Sequence, residues 1–114
     1  MNIQQDSQFC LVVSTAPDIA TARGLAAAVL ERKLAACVNL LPGVESHYWW
    51  QGKVENAQEV LLLMKTTRGL CDSLLSALPQ FHPYEVPEAI VLPIESGLPA
   101  YLEWIFTSTQ QRSQ

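Results

Sequence analysis

Cysteine is scarce in this chain and badly spaced for its common structural uses. The three residues, Cys10, Cys37 and Cys71, form no Cys-x-x-Cys pair. An odd number this widely separated builds neither a disulfide framework nor a self-contained zinc site. Reduced thiols, and with them a cytoplasmic protein, are the expectation. Basic clusters are lacking too: seven Lys and Arg are scattered through a chain of net charge −4. A nucleic-acid binder needs a stripe of cations to neutralise phosphates, so nucleic acid is not an expected partner. No apolar run approaches the roughly 20 residues of a membrane span. Met1 to Ser7 is polar, without the basic-plus-apolar pattern of a signal peptide, so no membrane association is expected.

Apolar residues are plentiful, at 49% against 16% charged, which is enough for one packed core and argues against disorder. The expected unit is a single domain over residues 1–114, with 1–7 and 110–114 frayed. Phe9 to Thr15 is an apolar, β-branched run that reads as a buried strand. Thr15, Pro17 and Asp18 then form a helix start, with Thr15 as cap. Apolar residues at 22, 25, 26, 29 and 30 mark one helix face, and Glu31-Arg32-Lys33 closes it. Ala36 to Leu41 is a second strand, bent or bulged at Pro42-Gly43 and resuming through Val44, Tyr48 and Trp50. Gln51-Gly52 offers a turn, and the return strand runs from about Lys53 to Thr66. Its Val60 to Met64 segment is apolar at every position, which predicts cover on both faces. Arg68 to Leu78 is a helix, with Leu70, Leu74 and Leu78 at i, i+4 spacing, stopped by Pro79, and Ala89 to Ile94 is a fourth strand with Ile90, Leu92 and Ile94 on one face. A last helix opens at Gly97-Leu98-Pro99, with Leu98, Tyr101, Leu102, Ile105 and Phe106 as its apolar side. The order is βαββαβ plus a C-terminal helix, an α+β, ferredoxin-like arrangement.

At about 3.3 Å per residue, Ala36 to Trp50 would reach on the order of 50 Å, whereas a domain of this length is roughly 35 Å across. The hairpin should overhang its core, exposing Tyr48, Trp49 and Trp50. Pairing with further copies of the chain is the expected remedy.

Between the second helix and the fourth strand lies His82-Pro83-Tyr84-Glu85-Val86-Pro87-Glu88. Two prolines steer His82 and Val86 to extended geometry and stiffen the segment. A neutral imidazole so held suits copper or zinc, or else a hydrogen bond at a loop or subunit boundary. Cys37 is a thiolate candidate or an inert packed thiol. Glu59, Glu85 and Glu88 offer acidic ligands, or a set with Lys65 and Tyr84 that fixes a subunit contact. Tyr48, Trp49 and Trp50 suit interface packing better than a ligand cage, with His47 at the rim.

These residues resemble the CutA divalent-cation-tolerance proteins. The resemblance rests on Thr15-Ala16-Pro17, Leu34 to Asn39, Pro42 to Ser46, Tyr48 to Lys53, Glu59 through Lys65-Thr66, His82 to Glu88 and Tyr101 to Ile105, in that order. It implies a ferredoxin-like subunit in a tight homotrimer, with hairpins pairing between subunits and an assembly similar to PII signalling proteins. Tyr48, Trp49, Trp50 and Trp104 are then expected at the trimer interface, and Lys65, Tyr84, Glu85 and Glu88 around a ligand cleft. The family is linked to tolerance of divalent cations, copper especially, and no catalytic activity is firmly attached to it. By this resemblance the metal candidates are His82, Ser14, Cys37 and Glu59, with copper or another divalent cation as the cofactor. The chain departs from the family's copper pattern: Ser14 stands where a cysteine is expected, and Phe81-His82 where two histidines are.

Three functions follow. The first is a non-enzymatic trimer in metal tolerance. The second is a PII-like signalling or interaction module that binds a small ligand or partner protein at intersubunit clefts. The third, an enzyme like the small ferredoxin-like phosphatases, ranks last. Its phosphate cradle needs a glycine or arginine after the first strand, and Ser14-Thr15-Ala16-Pro17 has neither.

Overall fold

A computed structural model describes residues 8–111. Strand β1 (Phe9–Ala16) leads into helix α1 (Ile19–Glu31), then β2 (Cys37–Trp50) and β3 (Lys53–Thr67). A 3₁₀ turn (Arg68–Leu70) leads into α2 (Cys71–Phe81), followed by β4 (Ile90–Ile94) and α3 (Pro99–Ser108). The four strands form one antiparallel sheet in the order β2-β3-β1-β4. This is the expected α+β arrangement.

Alternation along the strands sorts the two faces. Cys10, Val12, Ser14 and Ala16 of β1 and Val60, Leu62, Met64 and Thr66 of β3 lie on the helix-covered face, all buried. Leu25 and Val29 of α1 and Leu74 and Leu78 of α2 pack against them at helical spacing. Truncating Leu74 or Leu78 to alanine would cost about 2–5 kcal/mol.

The other face is covered only in part. Helix α3 buries Ile105 against it, but Leu41, Ile90 and Leu92 remain close to half exposed. Within one chain, the second face of Val60–Met64 is therefore half covered: Leu61 and Leu63 are intermediate where Leu62 and Met64 are fully buried. Of the expected apolar side of α3, Ile105 goes inward, while Leu98, Tyr101 and Phe106 are exposed.

Strands β2 and β3, of 14 and 15 residues, form the long hairpin expected from sequence, but the whole chain's greatest extent, 44 Å, is shorter than the length expected for the arm alone. Gln51 and Gly52 have φ of 50° and 80°, the paired left-handed residues of a tight two-residue hairpin turn. Pairing shifts register between Leu41 and Val44, where Gly43 has φ 82°, so Pro42-Gly43 forms a bulge inside one continuous strand. The chain measures 44 × 36 × 23 Å.

Two boundaries differ from the sequence reading. Thr15 stays within β1, and Asp18 is the cap of α1, its carboxylate accepting from the Thr21 N–H at 2.7 Å. That contact holds the Asp18 carboxyl below its ordinary range. Pro79 does not stop α2 but lies inside it, where its missing N–H leaves one backbone hydrogen bond unmade. The stop falls at His82, extended at φ −90° and ψ 136°, because Pro83 disfavours helical geometry in the residue before it. Of the C-terminal tail, Gln110 and Gln111 are described, and the Gln111 amide donates to the Lys33 carbonyl at 3.0 Å. The remaining end segments expected to fray, 1–7 and 112–114, lie outside the described residues.

Candidate functional site

The end of β1, the middle of β3 and the loop after α2 meet at one place, and His82 ties them together. Its side chain is 8% exposed. The Tyr84 N–H donates to His82 Nδ1 at 3.1 Å, so Nδ1 carries no proton and Nε2 does. That Nε2–H donates to the Thr15 carbonyl at 2.6 Å. The imidazole is thus a neutral strut with both nitrogens committed. Its ring also stacks obliquely on Tyr84, with centroids 4.7 Å apart.

Tyr84 carries the chain of contacts onward. Its hydroxyl donates to Glu59 Oε2 at 2.6 Å. Burial first, and the Glu59 carboxylate second, hold the Tyr84 phenol well above its ordinary range. Glu59 is itself 9% exposed, a costly place for a carboxylate unless it is hydrogen-bonded.

Beside this chain opens a cleft of about 820 Å³. Glu59, Tyr84, Glu85 and Glu88 line one part of it, and Tyr48 and Trp50 of the β2 arm another. His47 also lies at its edge, paired with Glu45 at 2.7 Å. Among the described residues, no lysine or arginine lines it.

The sequence-predicted residues are brought together unevenly. Ser14 and His82 converge, since the Ser14 hydroxyl contacts the same Thr15 carbonyl at 3.4 Å. Glu59 joins them through Tyr84, and Glu85 and Glu88 through the cleft. Cys37 lies apart, its sulfur 3.9 Å from the Asn39 side-chain oxygen and its backbone opposite Lys65. Lys65 is not in the cleft; its ammonium sits 5.7 Å from the Tyr101 ring centroid. Trp104 packs on Tyr101 with centroids 5.5 Å apart, on α3. The Thr15 carbonyl was missed from sequence. A backbone acceptor leaves no mark in residue type, and the only signal was Pro83 fixing the geometry of His82.

These donors do not fit a resident divalent cation within one chain. Both nitrogens of His82 are spent, Ser14 is fully buried, and Cys37 is on another part of the sheet. Among the described residues no three His, Cys, Asp or Glu side chains come together as a metal set. Cys10 and Cys71 belong to the core. Burial, with the Cys71 sulfur beside it, pushes the Cys10 thiol up to about 12, where it is inert.

Comparison with known proteins bears on the whole arrangement. Residues 10–108 match the sequence profile of the CutA1 divalent ion tolerance protein family. The divalent-cation tolerance protein CutA of Citrobacter koseri is 50% identical over 98 residues, covering 86% of this chain and 85% of that protein. The chloroplastic Protein CutA 1 of Oryza sativa subsp. japonica is 46% identical over 101 residues, covering 89% of this chain; the matched part spans 57% of the rice protein. The crystal structure of CutA from Xylella fastidiosa superposes with a TM-score of 0.88 at 42% identity, covering 91% of this chain and all of that one.

Proposed function

Because this chain belongs to the CutA1 divalent ion tolerance protein family, we propose that it works as a non-enzymatic homotrimer in tolerance of divalent cations, copper among them. The observation that carries the reading is the apolar surface a single chain leaves in water. On the sheet, Leu41, Ile90 and Leu92 are 43%, 50% and 46% exposed. On the arm, Trp49 is 75% and Val54 61% exposed. Surface of this kind, next to a long strand pair, is stable when another copy covers it. Tyr48, Trp49, Trp50 and Trp104 are the aromatic anchors of that contact in this reading.

The loop from His82 to Glu88 acts here as a clasp that shapes the cleft, and not as a copper ligand set. Its support is the double commitment of the His82 ring. The proposed compartment is the cytoplasm, supported by three free thiols.

A second reading, a PII-like module that takes a small ligand, is favoured by the cleft itself. Light scattering of the purified chain at micromolar concentration tests the trimer. A mass three times the 12.6 kDa chain is expected; a single-chain mass overturns it.

A further inference from the structure

We infer that Cys10 and Cys71 form a redox site, a thiol pair that a peroxide closes into a disulfide between β1 and the start of α2. Neither the trimer nor the cleft enters this reading. Both sulfurs belong to the buried cluster on the helix-covered side of the sheet, so a further copy of the chain on the open face leaves them as they are.

The backbone builds their proximity. Cys10 sits on β1 opposite Thr66 of β3. The 3₁₀ turn after β3 is tied back to the beginning of β1, the Arg68 N–H donating to the Gln8 carbonyl at 2.8 Å. Cys71 is the first residue of α2, and its thiol reaches back to the Thr67 carbonyl at 3.5 Å. The turn thereby sets the Cys71 sulfur in hydrogen-bond contact with the Cys10 thiol. A disulfide requires the sulfurs to close to about 2.05 Å, and sulfurs already in contact are one short side-chain movement from it.

The two thiols are unequal, and that sets the order of events. Cys10 is fully buried; burial, with the Cys71 sulfur beside it, pushes its thiol up to about 12 against the opposing pull of Arg68. Cys71 is 6% exposed, so it meets the oxidant first. With hydrogen peroxide, its sulfur attacks one oxygen and the O–O bond breaks. Hydroxide leaves with the thiol proton as water, and Cys71 becomes a sulfenic acid. The Cys10 thiolate then attacks that sulfur, the S–O bond breaks, and a second water carries off the Cys10 proton. The two sulfurs together lose two electrons, and the peroxide gains them. At pH 7 a thiol at about 12 is ionised in roughly one molecule in 10⁵. Contact offsets this, because oriented intramolecular reactions reach effective concentrations of about 10⁵ M or more. In a reducing compartment such a bond is transient and serves redox sensing.

The test treats the native, reduced chain with hydrogen peroxide in metal-free buffer, alkylates the remaining thiols in urea, and maps tryptic peptides by mass spectrometry without reduction. Cys10, Cys37 and Cys71 fall in three different tryptic peptides. The expected product is one intramolecular link, Cys10 to Cys71, two hydrogens lighter than the reduced chain and reopened by dithiothreitol. Cys71→Ser should abolish the link and leave Cys10 reduced. Cys10→Ser should stop Cys71 at the sulfenic acid, where dimedone traps it. The wild-type map decides the matter by itself if either variant fails to fold. In urea, where the contact is lost, the same oxidant should give mixed pairings that include Cys37. Cys10 and Cys71 both still reduced once Cys37 is fully oxidised would overturn the inference. So would Cys71 passing to the sulfinic acid without a link, or a link formed as selectively in urea as in the native chain.

Discussion

His82 donates from Nε2 to the Thr15 carbonyl at 2.6 Å, a contact made across 67 residues of sequence. It fastens the loop after α2 to the end of the first strand, and Tyr84 and Glu59 are placed by it in turn. Replacing His82 with alanine leaves the Thr15 carbonyl and the Tyr84 N–H without their partner. A loss of about 2 kcal/mol is expected in urea unfolding, the usual cost of stranding buried polar groups. A change within a few tenths of a kcal/mol would mean that water replaces the ring at little cost.

Pro83 sets the clasp by forcing His82 out of the helix. Pro83→Ala should let α2 run on and swing the imidazole away from Thr15. Hydrogen exchange at the Tyr84 amide, protected in the native chain by His82 Nδ1, is expected to speed up at least tenfold, an opening penalty of about 1.4 kcal/mol. Unchanged protection would show that packing alone holds the loop.

Alkaline stability should report Tyr84. Its phenol is raised above its ordinary 10.0 by burial and then by Glu59. A group raised on folding stabilises the native state fully below its unfolded value. That stability is lost as pH climbs from about 10 toward the higher folded value. The unfolding free energy of the wild type should therefore fall more steeply above pH about 10 than that of Tyr84→Phe. Parallel curves would contradict the raised phenol.

The thiols should divide by burial. Cys10 is fully buried, Cys71 is 6% exposed and Cys37 is partly open. Ellman's reagent on the native chain is expected to modify Cys37 alone, and all three thiols in urea. Prompt native reaction at Cys10 would mean that the core opens far more readily than its packing implies.

The open sheet face yields a prediction about assembly. Leu92→Lys places a charge where the trimer reading needs apolar cover. Light scattering should then give a single-chain mass with an unchanged far-ultraviolet spectrum. An intact trimer would move the interface elsewhere.

Much of the fold was legible because local chemistry dictated it. Pro42-Gly43 marked the bulge, Gln51-Gly52 the hairpin turn, and the Leu74–Leu78 spacing the buried face of α2. Pro79 misled, because the helix runs past it to Phe81 despite the hydrogen bond its missing N–H cannot make. Thr15 misled as well, since Asp18 three residues on was the better-placed cap. At the site, residue types marked the His82–Glu88 loop but not which groups its side chains meet within the chain. Lys65 was grouped with the carboxylates and lies over Tyr101 instead. The role of His82 turned on a backbone carbonyl, and only the folded chain brings that to it.

The claim that His82 is a committed strut is open to direct measurement by long-range ¹⁵N–¹H correlation spectroscopy at neutral pH during a Zn²⁺ titration. His47, exposed on the arm, serves as the internal reference. The account predicts that His82 keeps its proton on Nε2 and a bare Nδ1, and that neither signal moves as zinc is added. Loss of the Nε2 proton, or a zinc-dependent shift of either His82 nitrogen, would contradict it.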